Sequence, residues 1–153
     1  DGTGATVLDP LARMADEINA TVLSDPQIVA LGSLTMLALP YAPRARAYDP
    51  IAQVEAAPSL DLVIGHLELS GATRGSESAS MARGRPMQWP IAALRSCAPA
   101  AFLLGGHYHT AGCYDGVTVA GSAIRCEQGE SAHQPGWLML FTGSGGGRGT
   151  QAA

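Results

Sequence analysis

Lysine is absent from this sequence, and all nine of its basic residues are arginine. Charged residues make up only 14% of the 153 positions and hydrophobic residues 46%, a balance typical of a globular protein rather than a disordered one. The formal net charge of −4 argues against a large non-specific surface for nucleic acid on this chain. The length fits one domain that buries about two-thirds of its unfolded surface.

The sequence also lacks a long apolar run, a signal-peptide pattern and a Cys-x-x-Cys pair. No apolar run approaches the roughly 20 residues that cross a bilayer. The cysteines Cys97, Cys113 and Cys126 are odd in number, which favours a reduced compartment over a disulfide framework. We therefore predict a cytoplasmic protein without membrane association.

What the sequence does contain is a set of histidines placed just after glycines. The apolar run that follows Asp61, at residues 62–64, ends in Gly65-His66, and the run at 102–104 ends in Gly105-Gly106 followed by His107 and His109. Runs of this length predict buried strands. A His-x-His pair also arises by chance in ordinary loops, but three histidines at strand ends favour a metal site, since neutral imidazole binds manganese, iron, zinc or nickel.

These motifs carry a family resemblance. Gly65-His66 and Gly106-His107-Tyr108-His109 resemble the last two signature blocks, Gly-His and Gly-His-x-His, of the calcineurin-like metallophosphoesterases. The 41 positions from His66 to His107 suit that family.

Further matches resemble one subgroup, the SbcD-type exonuclease subunits of double-strand-break repair complexes. They are Gly71-Ala72 after the first block, Gly121-Ser122-Ala123-Ile124-Arg125 after the second, Glu130, and an apolar run at residues 137–141. The resemblance extends from about Asp1 to Phe141, and only its last stretch is specific to the subgroup.

The resemblance implies an α/β fold in which this chain forms the second half of a four-layer α/β/β/α sandwich. It implies two divalent metal ions, manganese first and iron, zinc or nickel as alternatives, with His66 and His107 on one ion and His109 on the other. The implied activity is metal-dependent hydrolysis of phosphodiesters, as a DNA exonuclease in double-strand-break repair. The implied partners are DNA, an ATPase subunit and a second copy of the chain.

The first-half blocks of the family, Asp-x-His, Gly-Asp and Gly-Asn-His-Asp, are not in this sequence. Asp1 could be the last residue of the third block, where it would orient the general-acid histidine, or it could be an ordinary polar residue. We therefore expect the chain alone to be inactive. The alternatives are a phosphatase or nucleotide phosphodiesterase of the same superfamily, and a non-catalytic module.

The remaining pattern predicts alternating helices and strands. We predict a metallophosphoesterase portion over residues 1–142 and a disordered Gly-rich tail over 143–153. The predicted elements are helices at 10–19, 50–57 and 90–97, a hairpin at 27–39, strands at 60–64, 101–104 and 137–141, a long loop at 70–88, and a hairpin turning at Asp115-Gly116.

Other polar residues are weaker candidates for the site. We predict that His133 is an exposed loop residue and that Glu68 faces solvent, with a place behind the metal ligands as the alternative for Glu68. Arg74, Arg83 and Arg85 in the long loop could touch phosphate, although a solvated loop is the simpler prediction.

Overall fold

The computed structural model describes residues 9–15, 17–41, 48–57, 59–66, 68–69, 88–123, 136, 138–142 and 148–152. Several predicted features lie outside these residues: Asp1, Gly71-Ala72, Glu130, His133 and the arginines of the long loop. No helix among the described residues is long and apolar enough to cross a membrane.

The described chain forms three helices and ten strands. The helices are α1 (Asp9–Met14), α2 (Pro50–Glu55) and α3 (Ile91–Cys97). The strands are β1 (Gln27–Leu31), β2 (Leu34–Leu39), β3 (Leu62–Gly65), β4 (Glu68–Leu69), β5 (Gln88–Trp89), β6 (Phe102–Gly105), β7 (Gly112–Tyr114), β8 (Val117–Val119), β9 (Leu138–Thr142) and β10 (Arg148–Ala152).

Six of the strands form one mixed sheet in the order β1-β2-β3-β6-β8-β7. The four inner strands run parallel, and β1 and β7 are antiparallel edge strands. The two central strands, β3 and β6, are short apolar runs without polar alternation, which is typical of parallel strands covered on both faces, whereas β2 and β8 each include a threonine. The predicted α/β class is confirmed, and the four-layer sandwich stays a prediction.

Two tight turns build the edges of this sheet. Gly32, with φ +61°, opens the two-residue turn that joins β1 to β2. Asp115 and Gly116 join β7 to β8 with φ values of +49° and +82°, the positive pair that a type I′ turn requires. Both predicted hairpins are therefore confirmed with the predicted turn residues.

Helices α2 and α3 cover one face of the sheet. The Asp49 side chain caps α2 by accepting a 2.9 Å hydrogen bond from the Ile51 amide, and Pro50 holds the first helical position. Val54 of α2 and Leu94 of α3 are buried against the strands. Both helices follow parallel strands in β-α-β connections, whose common handedness places successive helices on the same face.

The two faces of the sheet differ in coverage. The helix-covered face carries side chains that are at most 1% exposed: Leu37, Leu39, Val63, Leu103, Val117 and Val119. On the second face Met36, Ala38 and Leu62 are buried, whereas Ile64, Phe102 and Leu104 are only half-buried. The larger core cluster of the described chain therefore lies between the sheet and the two helices, and a smaller cluster lies on the second face, where Leu140 of β9 packs against it.

The first predicted helix is shorter than its apolar pattern indicated. It ends at Met14 rather than at residue 19, and the chain continues through a turn in which Asn19 has a positive φ of 50°. Leu11, Met14 and Ile18 are 47%, 49% and 54% exposed. These three residues have the spacing of an apolar helix face. In the described chain they do not pack into the core, so packing does not extend the helix.

Part of the predicted Gly-rich tail forms a strand. Residues 148–152 form β10, which pairs antiparallel with β9 from Arg148 opposite Thr142 to Ala152 opposite Leu138. Glycine-rich composition weakens a strand, but main-chain hydrogen bonds to an adjacent apolar strand do not depend on side chains. Residues 143–147 lie outside the described part of the chain.

Candidate metal site

Two neighbouring parallel strands deliver His66 and His107 to the same edge of the sheet. Each residue lies just beyond the end of its strand, β3 or β6. Main-chain hydrogen bonds fix the two exits: the His66 amide donates to the Leu39 carbonyl at 3.2 Å, and the Gly106 amide donates to the Gly65 carbonyl at 2.7 Å. The predicted placement of both histidines at strand ends is confirmed.

The imidazoles of His66 and His107 face each other. Nε2 of His66 lies 3.3 Å from Nδ1 of His107, and the ring planes are close to perpendicular, at 87° with centroids 5.1 Å apart. His107 has a φ of +89°, a conformation that costs a non-glycine residue of order 1–3 kcal/mol. Backbone strain of this kind gathers at functional sites, and here it lies at a candidate ligand.

Gly106 leaves the space that the His66 ring occupies. A Cβ atom at position 106 would lie 3.0 Å from Nδ1 of His66, tighter than ordinary van der Waals contact. Because it has no side chain, Gly106 allows the segments that follow β3 and β6 to lie close together with the His66 imidazole between them.

The surroundings of His66 lower the pKa of its imidazole. Desolvation by neighbouring atoms is the main cause, and positive charge on His107 and His109 adds to it. Both effects disfavour the protonated ring. His66 is therefore held in the neutral form, which is the form that binds a metal ion.

His109 is fixed through its main chain. The Ser122 amide donates a 2.9 Å hydrogen bond to the His109 carbonyl. Gly121 makes this turn possible, because its φ is +77° and a Cβ atom there would lie 2.8 Å from the Ala111 nitrogen and 2.9 Å from the His109 oxygen. The Gly121-Ser122 turn thus contacts the His-x-His segment directly.

The structure brings two of the three predicted ligands together. His109 is near enough for its charge to lower the pKa of His66. Within the described ranges, however, no three side chains of His, Cys, Asp or Glu gather in a group that could hold a metal ion. His66 and His107 are the two predicted ligands that lie together, and metal binding by any of the three histidines stays a prediction.

Aromatic rings surround the histidine pair. Tyr108 is 3% exposed, and its ring lies 5.3 Å from that of His107 and 6.2 Å from that of Tyr114. Tyr41 is 53% exposed and meets the His66 ring edge-on at 6.1 Å. We did not predict either tyrosine at the site. The sequence signal for Tyr108 was its position between the two histidines.

Glu68 corrects another prediction. Its side chain is 6% exposed, so the expectation that it faces solvent is wrong. Glu68 begins β4, which pairs in parallel with β5. The residue therefore belongs to a two-stranded sheet rather than to a loop. The signal available in the sequence was its position two residues after His66.

A cavity of about 340 Å³ opens beside His66, on the second face of the sheet. We call it the strand-end pocket. It lies where β2, β3 and β6 end, and Ala38, Ile64, Leu104 and Ala120 are among the residues that line it. Ligands of open α/β sheets bind at the carboxyl ends of the strands, so the pocket lies where such a site is expected.

No known protein family model matches the sequence, and no curated protein is detectably similar to it.

Proposed function

We propose that this chain is part of a metal-dependent phosphoesterase in which His66 and His107 bind one divalent ion and His109 the other. The observation that carries the proposal is the 3.3 Å separation between Nε2 of His66 and Nδ1 of His107. Nitrogen ligands 2.0–2.1 Å from one tetrahedral ion are about 3.3–3.4 Å apart. A hydrogen bond between neutral rings also spans this distance, so metal binding must be measured directly.

The donor set fits a first-row transition metal. Imidazole suits iron, zinc and nickel. The family resemblance favours manganese, which is the ion that we propose first, with oxygen ligands from elsewhere completing its site. When bound, a pair of such ions polarises the phosphoryl oxygens and activates water for attack on phosphorus. Because two imidazoles alone make an incomplete ligand set, we expect weak metal binding by this chain and no turnover without further carboxylate and histidine ligands.

The chain's own residues prepare the site in three ways. Desolvation keeps His66 neutral and able to coordinate. Gly106 gives the His66 ring its place, and the Gly121-Ser122 turn fixes the main chain of His109. Together they hold the ligand-bearing segments before a ligand arrives, which lowers the cost of ordering them on binding.

For the substrate we propose DNA, with the parent protein acting as an exonuclease alongside an ATPase partner. The support is the subgroup resemblance of the turn that contacts His109. The net charge of −4 favours the second candidate, a phosphatase or nucleotide phosphodiesterase, because DNA binding requires positive charge from elsewhere. A non-catalytic module is the third candidate, favoured by the two-ligand group.

Manganese titration of the purified chain tests the metal site, followed by calorimetry or by paramagnetic broadening of histidine NMR signals. We expect His66→Ala and His107→Ala each to weaken binding at least about tenfold, since each removes one ligand. The matched control is His133→Ala, which replaces the remaining histidine of the chain. Equal losses in the control and in His107→Ala would refute the site.

A second assay separates the substrates. The chain would be joined to a segment that carries the Asp-x-His, Gly-Asp and Gly-Asn-His-Asp blocks and supplied with manganese. We expect nucleotide release from duplex DNA ends, abolished by His107→Ala. Rapid hydrolysis of phosphomonoesters with DNA left intact would replace the exonuclease proposal with the phosphatase one.

A further inference from the structure

The lining of the strand-end pocket is almost entirely apolar. Apart from His66 at its rim, the pocket is lined by apolar side chains and by the glycines that end β3 and β6. The main chain there is already paired, since the Gly106 amide donates to the Gly65 carbonyl and the His66 amide to the Leu39 carbonyl. The pocket therefore offers little to a charged group, whose burial without partners is costly.

A phosphoester has a charged end and an organic end, and the two ends need different surroundings. The histidine pair and the strand-end pocket supply such different surroundings side by side, with His66 common to both. The volume of about 340 Å³ lies at the lower end of the range found for small-ligand sites. It suits one ring system better than an extended chain of several.

An aromatic side chain lies next to His66, the residue at the pocket rim. Tyr41 follows β2 after Pro40, is 53% exposed and lies edge-on to the His66 ring. An exposed tyrosine beside an apolar cavity can pack against a flat ring that enters it. Small residues keep the cavity open, because Ala38, Gly65, Gly105 and Ala120 all contribute short or absent side chains at the strand ends.

We propose that the strand-end pocket binds a planar, uncharged aromatic ring of the phosphoester whose phosphate lies at the histidine pair. The ring is an aryl group or a nucleobase. This proposal rests on the proposed function for the position of the phosphate, but it assigns the ring to residues outside the metal site. It narrows the substrate to phosphoesters that carry such a ring next to the phosphate.

The test follows ring binding separately from metal binding. Methyl-labelled chain would be titrated with phenyl phosphate, with methyl phosphate as the probe that lacks a ring, each with and without manganese. We expect shifts of the Ile64 and Leu104 methyl signals with phenyl phosphate alone, and roughly tenfold tighter binding than for methyl phosphate, as burial of a ring allows. Thymidine 5′-phosphate identifies the source: matching shifts indicate a nucleobase, and their absence indicates an aryl group.

Pocket-filling variants locate the ring. Ala120→Leu should remove the roughly tenfold preference for phenyl phosphate over methyl phosphate while the manganese affinity is unchanged. Leu104→Phe replaces it if circular dichroism shows that Ala120→Leu does not fold. The matched control is Ala123→Leu, at an exposed position outside the pocket lining. Equal affinity for the two phosphates, or an undiminished preference in the filled variants, overturns the pocket. Failure of manganese binding alone overturns the metal site, and ring-dependent shifts then still support the pocket.

Discussion

The two faces of the six-stranded sheet are built from equally apolar strands but are covered unequally. On the helix-covered face Val63 and Leu103 are completely buried beneath α2 and α3. Their neighbours in the same strands, Ile64 and Leu104, point to the second face and are only half-buried. Sequence composition therefore does not distinguish the faces, and the difference arises from where the connecting helices lie.

The difference also separates the larger packed core from the proposed binding site. Packing beneath the helices buries the side chains of the first face, whereas the second face combines short side chains, the strand-end pocket and the approach to His66. Each inner strand contributes side chains to both faces. Packing on the helix-covered face therefore also fixes the strand ends that form the strand-end pocket. Substitutions that affect one face at a time measure how independent the two are.

The largest expected effect is on the helix-covered face. Leu103→Ala removes a side chain that is 0% exposed, and we expect it to lower the free energy of unfolding by about 3–4 kcal/mol through lost burial and a cavity. The control is Leu104→Ala, one residue along the same strand, for which we expect about 1–2 kcal/mol because that side chain is half-buried. Urea denaturation measures both. Equal losses would mean that the second face is as well packed as the first.

An intermediate effect is expected at the turn behind His109. Gly121→Ala places a side chain at φ +77° and brings its Cβ against main-chain atoms of Ala111 and His109, so we expect a loss of about 2–3 kcal/mol. Gly32→Ala has a similar φ of +61° but no atom within 4 Å, and should cost about 1 kcal/mol. Thermal unfolding of both variants checks the difference. A loss for Gly121→Ala no larger than that for Gly32→Ala would show that the main chain around Gly121 adjusts easily to the added Cβ.

The smallest effect concerns the link between α3 and the β7–β8 turn. Arg95 donates from Nη1 to the Ala101 carbonyl at 2.9 Å and from Nη2 to the Gly116 carbonyl. Arg95→Met keeps the aliphatic stem and loses both bonds, so we expect about 1 kcal/mol, since water can replace the exposed one. Arg13→Met on α1, where the arginine is exposed, should change stability by less than about 0.5 kcal/mol. Similar urea midpoints for the two variants would contradict a role for Arg95 in holding the hairpin.

Local chemistry made much of this fold predictable. The turns at Gly32 and at Asp115-Gly116 depend on backbone preferences that a few residues determine, and both hairpins have the predicted partners. The meeting of His66 and His107 was also predictable, because strand ends of a parallel sheet lie at one edge.

Tertiary contacts determined what the sequence did not reveal. The end of α1 at Met14, the pairing of β10 with β9 and the burial of Glu68 all depend on which elements lie alongside. The sequence predicted that His109 meets the other two histidines, but it did not predict the positive φ of +89° at His107, two residues earlier.

The separation of the histidine pair along the chain has a consequence for the order of folding. Leu31 and Leu34 pair across a two-residue turn, whereas His66 and His107 are 41 positions apart. Hairpins form within microseconds, but long-range parallel pairing must first overcome the entropy of closing its loop. We therefore expect the candidate metal site to assemble late. An ion bound there would then retard unfolding much more than it would accelerate folding, because the contacts it strengthens are absent from the transition state.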